Sequence, residues 1–199
     1  MIKDIRYFLF IPILFIITLF LSGCGYNTLV TMEEQVNSAW SQVENQYQRR
    51  ADLIPNLVNT VKGYADFEKE VLTEVTDARS RVGQIQLTAE DLNDPQKMQQ
   101  FQNAQDELSG ALSRLLVVVE NYPNLKANEN FLALQTQLEG TENRIAVERR
   151  RYNEAVQAYN AEIRSFPTLI TAKLFGFGEK QYFKSKEGSD EAPEVDFSK

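Results

Sequence analysis

Apolar residues recur along most of this chain at alternating spacings of three and four, the period of an amphipathic helix. The first stretch carries Leu29, Val36, Trp40, Val43, Tyr47, Ala51, Ile54, Val58 and Val61. Its phase survives Pro55, which predicts a kinked but continuous helix, with a break at Pro55 as the alternative boundary. Proline there withholds one backbone hydrogen bond and crowds the carbonyl of Ala51. Gly63 offers a C-terminal cap, and Asp66 an N-cap for a shorter helix with Val71, Val75 and Ala78 inward. Asp94 followed by Pro95 is a strong start signal. Met98, Phe101, Gln105, Leu108, Leu112, Leu115, Val119 and Tyr122 then hold the rhythm up to Pro123. In the last stretch, positions 131, 138, 145, 152, 159 and 166 are Phe, Leu, Ile, Tyr, Tyr and Phe, a seven-residue repeat closed by Pro167.

These patterns predict an all-α protein with long helices over about 28–62, 66–82, 94–121 and 127–165. No segment alternates with period two over a strand's length between turn residues. Four helices with short connections and seven-residue seams fold as an up-and-down four-helix bundle. Residues 168–183 read as a short segment packed on that bundle. From Lys184 onward the composition turns to Lys, Glu, Gly, Ser, Asp and Pro, which predicts a disordered acidic tail over 184–199.

The N-terminus follows a different pattern. Lys3 and Arg6 precede a nearly unbroken apolar run from Tyr7 to Leu21, which leads into Ser22, Gly23 and Cys24. A charged start, a short apolar stretch and small residues form a secretory signal over 1–23, and the run is short for a membrane span. Leu-Ser-Gly-Cys also resembles the bacterial lipobox, in which the chain is cut between Gly23 and Cys24 and the Cys thiol carries a diacylglycerol. An uncleaved membrane anchor is the alternative. Both place residues 25–199 outside the cytoplasm, because cations precede the apolar run.

Composition removes much chemistry. The 199 residues include no His, so His-based triads and His-ligated zinc are excluded, and the single Cys excludes an internal disulfide. The formal net charge is −7. Loss of residues 1–23 removes two cations and one anion and makes it −8. An acidic chain without a long basic run argues against nucleic acid as a partner. It also predicts repulsion from an anionic membrane surface wherever no local basic patch intervenes.

Several long motifs carry a resemblance. They are Ala39-Trp40-Ser41-Gln42-Val43, the run from Gln46 through Arg49, Arg50 and Asp52 to Tyr64, and Tyr122-Pro123-Asn124-Leu125-Lys126-Ala127. Thr141 to Ile145 and Arg151 to Pro167 continue it. Over about residues 26–197 the chain resembles the LemA family. That resemblance implies a membrane-anchored, extracytoplasmic helical bundle of bacteria and brings no established activity. Many members look as though they keep an ordinary membrane helix where this chain has Leu-Ser-Gly-Cys.

Candidate sites are sparse. Trp40, between Val36 and Val43, reads as core. Arg49-Arg50 and Arg149-Arg150-Arg151 read as solvated faces paired with acids one turn away, such as Glu154 near Arg150, although Arg49, Arg50 and Asp52 lie inside a family motif and are candidate interaction residues. Phe175 and Phe177, with Tyr182 and Phe183, either cap the core or present an apolar surface to a partner. Glu33, Glu34, Glu68 and Glu70 offer carboxylates, but nothing marks a catalytic pair or a Ca²⁺ loop, so no metal, cofactor or reaction is expected. The sequence therefore predicts a non-catalytic, membrane-tethered envelope scaffold or adaptor that binds other envelope proteins or itself. The competing reading is a small-ligand or lipid-binding envelope lipoprotein, with Trp40, Tyr47, Phe101 and Phe131 lining its cavity.

Overall fold

The computed structural model describes residues 2–64 and 68–184, with side chains from Gly25 onward. The signal or anchor over 1–23, Cys24, the Asp66 cap and the tail beyond Lys184 therefore lie outside the described side chains. The helices are α1 (Ile2–Lys62), α2 (Lys69–Gln84), α3 (Pro95–Val119), α4 (Pro123–Lys126), α5 (Glu129–Arg164) and α6 (Thr168–Phe175). Among the described residues there is no strand. The predicted 28–62 helix reaches back to Ile2, and a single turn of helix, α4, follows Pro123.

Local sequence explains the boundaries. Asp94 caps α3 by accepting from the amides of Gln96 (2.8 Å) and Lys97 (3.3 Å), with Pro95 at the first helical position. Asn128 caps α5 through the Phe131 amide at 3.0 Å. Gly63 follows α1 but stays out of the left-handed region, and the Tyr64 amide closes the last turn on the Val61 carbonyl at 3.0 Å. The seven-residue repeat of α5 buries Phe131, Leu138, Ile145, Tyr152 and Tyr159, but Phe166 is 82% exposed. Its helix has already ended at Arg164, so the period no longer dictates which way residue 166 faces.

Cross-helix contacts fix the topology. Arg50 of α1 meets Gln105 and Ser109 of α3, while Trp40 and Tyr47 meet Phe101, so α1 and α3 run parallel. Glu74 pairs with Arg114 at 2.9 Å and Arg81 with Glu107 at 2.7 Å, so α2 and α3 run antiparallel. The C-terminal half of α1 shares a core with Phe131 and Leu138 and its N-terminal half with Tyr152, Val156 and Tyr159, so α5 is antiparallel to α1. The result is up-down-up-down. At 16 residues α2 is too short to line the whole bundle. Beyond it, Leu87 and Leu92 of the α2–α3 loop and Phe183 of the C-terminal segment fill the same layer.

Pro55 does not stop α1. The proline cannot donate to the Ala51 carbonyl, and the Arg79 guanidinium of α2 donates to that oxygen instead, at 2.9 Å. Arg79→Ala is therefore expected to cost about 1 kcal/mol, and less in a Pro55→Ala background, where residue 55 regains its N–H. Urea denaturation of the four proteins measures this coupling, and strict additivity would refute it.

Candidate functional site

Three features stand out from the bundle: a buried arginine, a clasped C-terminal segment and an exposed apolar foot. The candidates Arg49, Arg50 and Asp52 do not form one surface. Arg49 is exposed, and Asp52 accepts from Gln48 on the outside of α1 at 2.8 Å. Arg50 is 1% exposed, which corrects its reading as part of a solvated face. Its Nη1 donates to the Ser109 hydroxyl and to the Glu142 carboxylate, both at 2.7 Å. Nη2 donates to the Gln105 side-chain oxygen at 2.5 Å and to the Gln105 carbonyl at 3.3 Å. The planar fork of a guanidinium is what lets one side chain tie α1 to both α3 and α5.

Beside it, Tyr47 lies under the Arg50 guanidinium at 5.2 Å. Burial pushes its hydroxyl above the usual tyrosine range, although the charges of Arg149 and Arg50 oppose the shift. Tyr152 and Tyr159 are raised further by the same desolvation. All three are neutral fillers at physiological pH and supply no phenolate.

The second feature follows α6. Gly176 ends that helix in the left-handed region at φ 78°, a conformation any side chain with a Cβ would strain, and the Phe177 amide closes on the Ala172 carbonyl at 3.0 Å. Residues 177–184 then run across α5 and α3. Asn160 donates to the Lys180 carbonyl and accepts from the Lys180 amide, each at 2.9 Å. One heptad earlier, Asn153 holds Phe183 the same way, at 3.0 and 2.9 Å. Each amide side chain thus pairs with both the N–H and the C=O of one residue, as a neighbouring strand would. The buried Lys180 ammonium pairs with Glu33 of α1 at 2.9 Å and donates to the Ala89 carbonyl at 3.3 Å.

Phe183 enters the core, stacked on Trp40 at 5.8 Å and edge-on to Tyr152 at 5.4 Å, with the Arg149 guanidinium 4.6 Å from its ring. Asn160→Ala should release this segment at a cost of about 1–3 kcal/mol, because two buried backbone groups lose their partners. Limited proteolysis after Lys180 and Lys184 measures the opening. Unchanged cleavage would show that the clasp is dispensable.

The aromatic candidates divide. Phe183 is core, Phe177 is half-buried, and Phe175 and Tyr182 are exposed. Phe175 and Phe177 converge on Tyr26 of α1, with ring centres 4.8 and 5.7 Å away. Among the basic residues of α5, Arg150 lies 3.9 Å from Glu154 and Arg151 lies 2.8 Å from Glu148, the one-turn pairing the sequence implies. Trp40 meets Phe101 at 5.2 Å and Tyr152 at 5.6 Å, so these rings fill one another's space. Among the described residues no cluster of three or more Asp, Glu, His or Cys side chains could hold a metal ion. Within the same limit, no helix is long and apolar enough to cross a membrane.

Sequence reasoning missed Arg50 as a core residue, although Val36, Val43 and Leu57 lie at seven-residue intervals and position 50 completes their series. It also missed Asn153 and Asn160, whose spacing repeats that of the buried Tyr152 and Tyr159.

Known proteins share this chain's sequence. Magnetosome protein MamQ 2 of Paramagnetospirillum magneticum is 32% identical over 181 residues, covering 83% of this chain and 66% of the relative. Magnetosome protein MamQ of Magnetospirillum gryphiswaldense is 29% identical with the same coverage. The chain thus spans just under two thirds of the length of these relatives. Protein LemA of Metamycoplasma hominis is 26% identical over 161 residues, covering 81% of this chain and 69% of the relative. The LemA family model matches residues 39–197, which take in the buried Arg50, the heptads of α5 and the clasped segment. This chain belongs to the LemA family.

Proposed function

We propose that this protein is a non-catalytic scaffold or adaptor, tethered to the membrane at its N-terminus, whose bundle stands on the extracytoplasmic side of the bacterial envelope. The observation that carries the reading is the continuity of α1, helical from the apolar run Tyr7–Leu21 through Cys24 into the core, so that either anchor, an uncleaved helix or a lipid on Cys24, joins the bundle without an intervening linker. A tether built this way keeps the bundle close to the membrane. The buried side chains of Arg50, Lys180, Asn160 and Gln105, and the half-buried Asn153, are engaged in joining elements to one another, which suits a rigid support. The names of the relatives carry no reaction. Other envelope proteins, or a second copy of this chain, are the partners that such a support would hold.

The anchor is testable at one residue. Cys24→Ser should abolish incorporation of labelled fatty acid while leaving helicity unchanged. Continued incorporation would overturn the lipid anchor in favour of the uncleaved helix.

A second reading, a small-ligand carrier, is favoured by a cleft of about 390 Å³ where Tyr47, Gln48, Arg79, Phe101 and Gln105 meet. Native mass spectrometry of protein purified from cells separates the two. The scaffold is expected to fly at the mass of the chain with its lipid, and a stoichiometric bound small molecule would establish the carrier.

A further inference from the structure

The bundle has an exposed apolar foot where α6 crosses α1. On α6, Thr168, Thr171 and Ala172 face inward, whereas Ile170 is 60% exposed and Leu174, one turn on, 76%. Phe175, 57% exposed, extends that surface to Tyr26 of α1. Soluble surfaces seldom gather large apolar side chains in this way without a partner.

The position of α6 identifies the partner. The helix crosses α1 at Gly25, where a Cβ would lie 3.4 Å from the Thr171 hydroxyl and 3.7 Å from the Thr168 Cα. Gly25 is one residue after Cys24 and four after the end of the apolar run, so along a helix it stands about 6 Å beyond Leu21. A lipid on Cys24 and an uncleaved helix over 7–21 both bring headgroups to this level. The location therefore does not depend on which anchor operates.

Charge points the same way. Acidic residues are scattered throughout this chain, yet its two longest stretches without any are 5–32 and 163–178. They meet at this foot, through Gly25 against Thr168 and Thr171 and through Tyr26 against Phe175 and Phe177. The only charged residue on α6 itself is Lys173, exposed beside Leu174. An acidic bundle is repelled by anionic lipid, but α6 itself carries no acid, and the carboxylate beside it, Glu162, is engaged by the Thr168 hydroxyl at 2.6 Å.

We propose that the outward face of α6, built on Ile170, Leu174 and Phe175 with Lys173 among them, seats in the headgroup layer of the membrane that holds the chain. It acts as an in-plane amphipathic foot that complements the N-terminal anchor. Two points of attachment fix the tilt and rotation of the bundle, which a single anchor leaves free. This rests on the tethered reading above, and the test separates the two.

The full-length chain with its anchor is reconstituted in vesicles of phosphatidylethanolamine and phosphatidylglycerol and first checked for co-flotation. A photoreactive benzophenone side chain is placed at Leu174, or for comparison at Val117 on α3. Val117 is 69% exposed and lies at the far end of the bundle, beside the core layer of Val61 and Val119. Lipid adducts at position 174 are expected to exceed those at 117 about tenfold, and Ile170→Glu to reduce them. Ile170 is exposed, so that substitution leaves the core intact. Co-flotation without lipid adducts at 174 would overturn the foot while the tether stands. Adducts at 174 to a second copy of the chain would overturn it in favour of self-association. Failure to float would remove the tether and the foot together.

Discussion

Trp40→Ala should destabilise the bundle by about 3–5 kcal/mol, the range for emptying a large aromatic site that cannot collapse. The indole is buried where α1, α3, α5 and the C-terminal segment converge, in contact with Phe101, Tyr152 and Phe183. No single neighbour can move to fill the space, because each ring belongs to a different element. Phe183 loses the face on which it stacks, so the clasped segment should become sensitive to protease well below the global transition. Trp40→Phe should cost much less. The indole N–H has no protein partner among the described residues, so that change removes no hydrogen bond. Urea denaturation reads the first effect and limited proteolysis the second. A loss under 1 kcal/mol for Trp40→Ala would show that the aromatic cluster does not hold these elements together.

Arg50→Met is expected to cost a similar amount, about 3–5 kcal/mol, for a different reason. The methionine replaces much of the volume but leaves Gln105 and Ser109 without the donors that now join α1 to α3. Arg50→Lys should rescue little. An ammonium group cannot present two parallel edges to Gln105 on one side and to Ser109 and Glu142 on the other. Glu142→Gln should matter far less, within about 1 kcal/mol, because that carboxylate is 43% exposed and water can replace its partner. The order Arg50→Met, then Arg50→Lys, then Glu142→Gln distinguishes a buried hub from an ordinary ion pair. Equal effects from the arginine and the glutamate would contradict the hub.

Much of this architecture is legible in the chain because helix period is a local signal. Every apolar position named in the first helix is buried except Ala51, which is half-buried. The Asp94-Pro95 start is where capping chemistry puts it. The repeat in α5 holds through Tyr159 and fails at Phe166, because periodicity has meaning only inside the helix that generates it. Arg50 was hidden by its charge. A basic residue in a core register is indistinguishable from a surface one until α3 and α5 supply Gln105, Ser109 and Glu142, all at least 55 positions away in sequence. The clasp of residues 180 and 183 was hidden by distance as well, because an Asn on a helix does not reveal whose backbone it will complete. The α6 foot was legible only in part. Its apolar residues are plain in the sequence, but their outward direction follows from the crossing at Gly25.

The proposed scaffold would draw its rigidity from three features: a continuous α1, a hub at Arg50 and a segment clasped on α5. The most direct test of the proposed scaffold role is photocrosslinking in intact cells from position 49, on the exposed face of α1 one residue before the hub. The scaffold reading predicts a discrete crosslinked product of higher mass, either a particular envelope protein or a second copy of the chain, that is absent when the probe sits at Lys62. No product from position 49, together with a small molecule bound to the purified protein, would contradict the scaffold and establish the carrier.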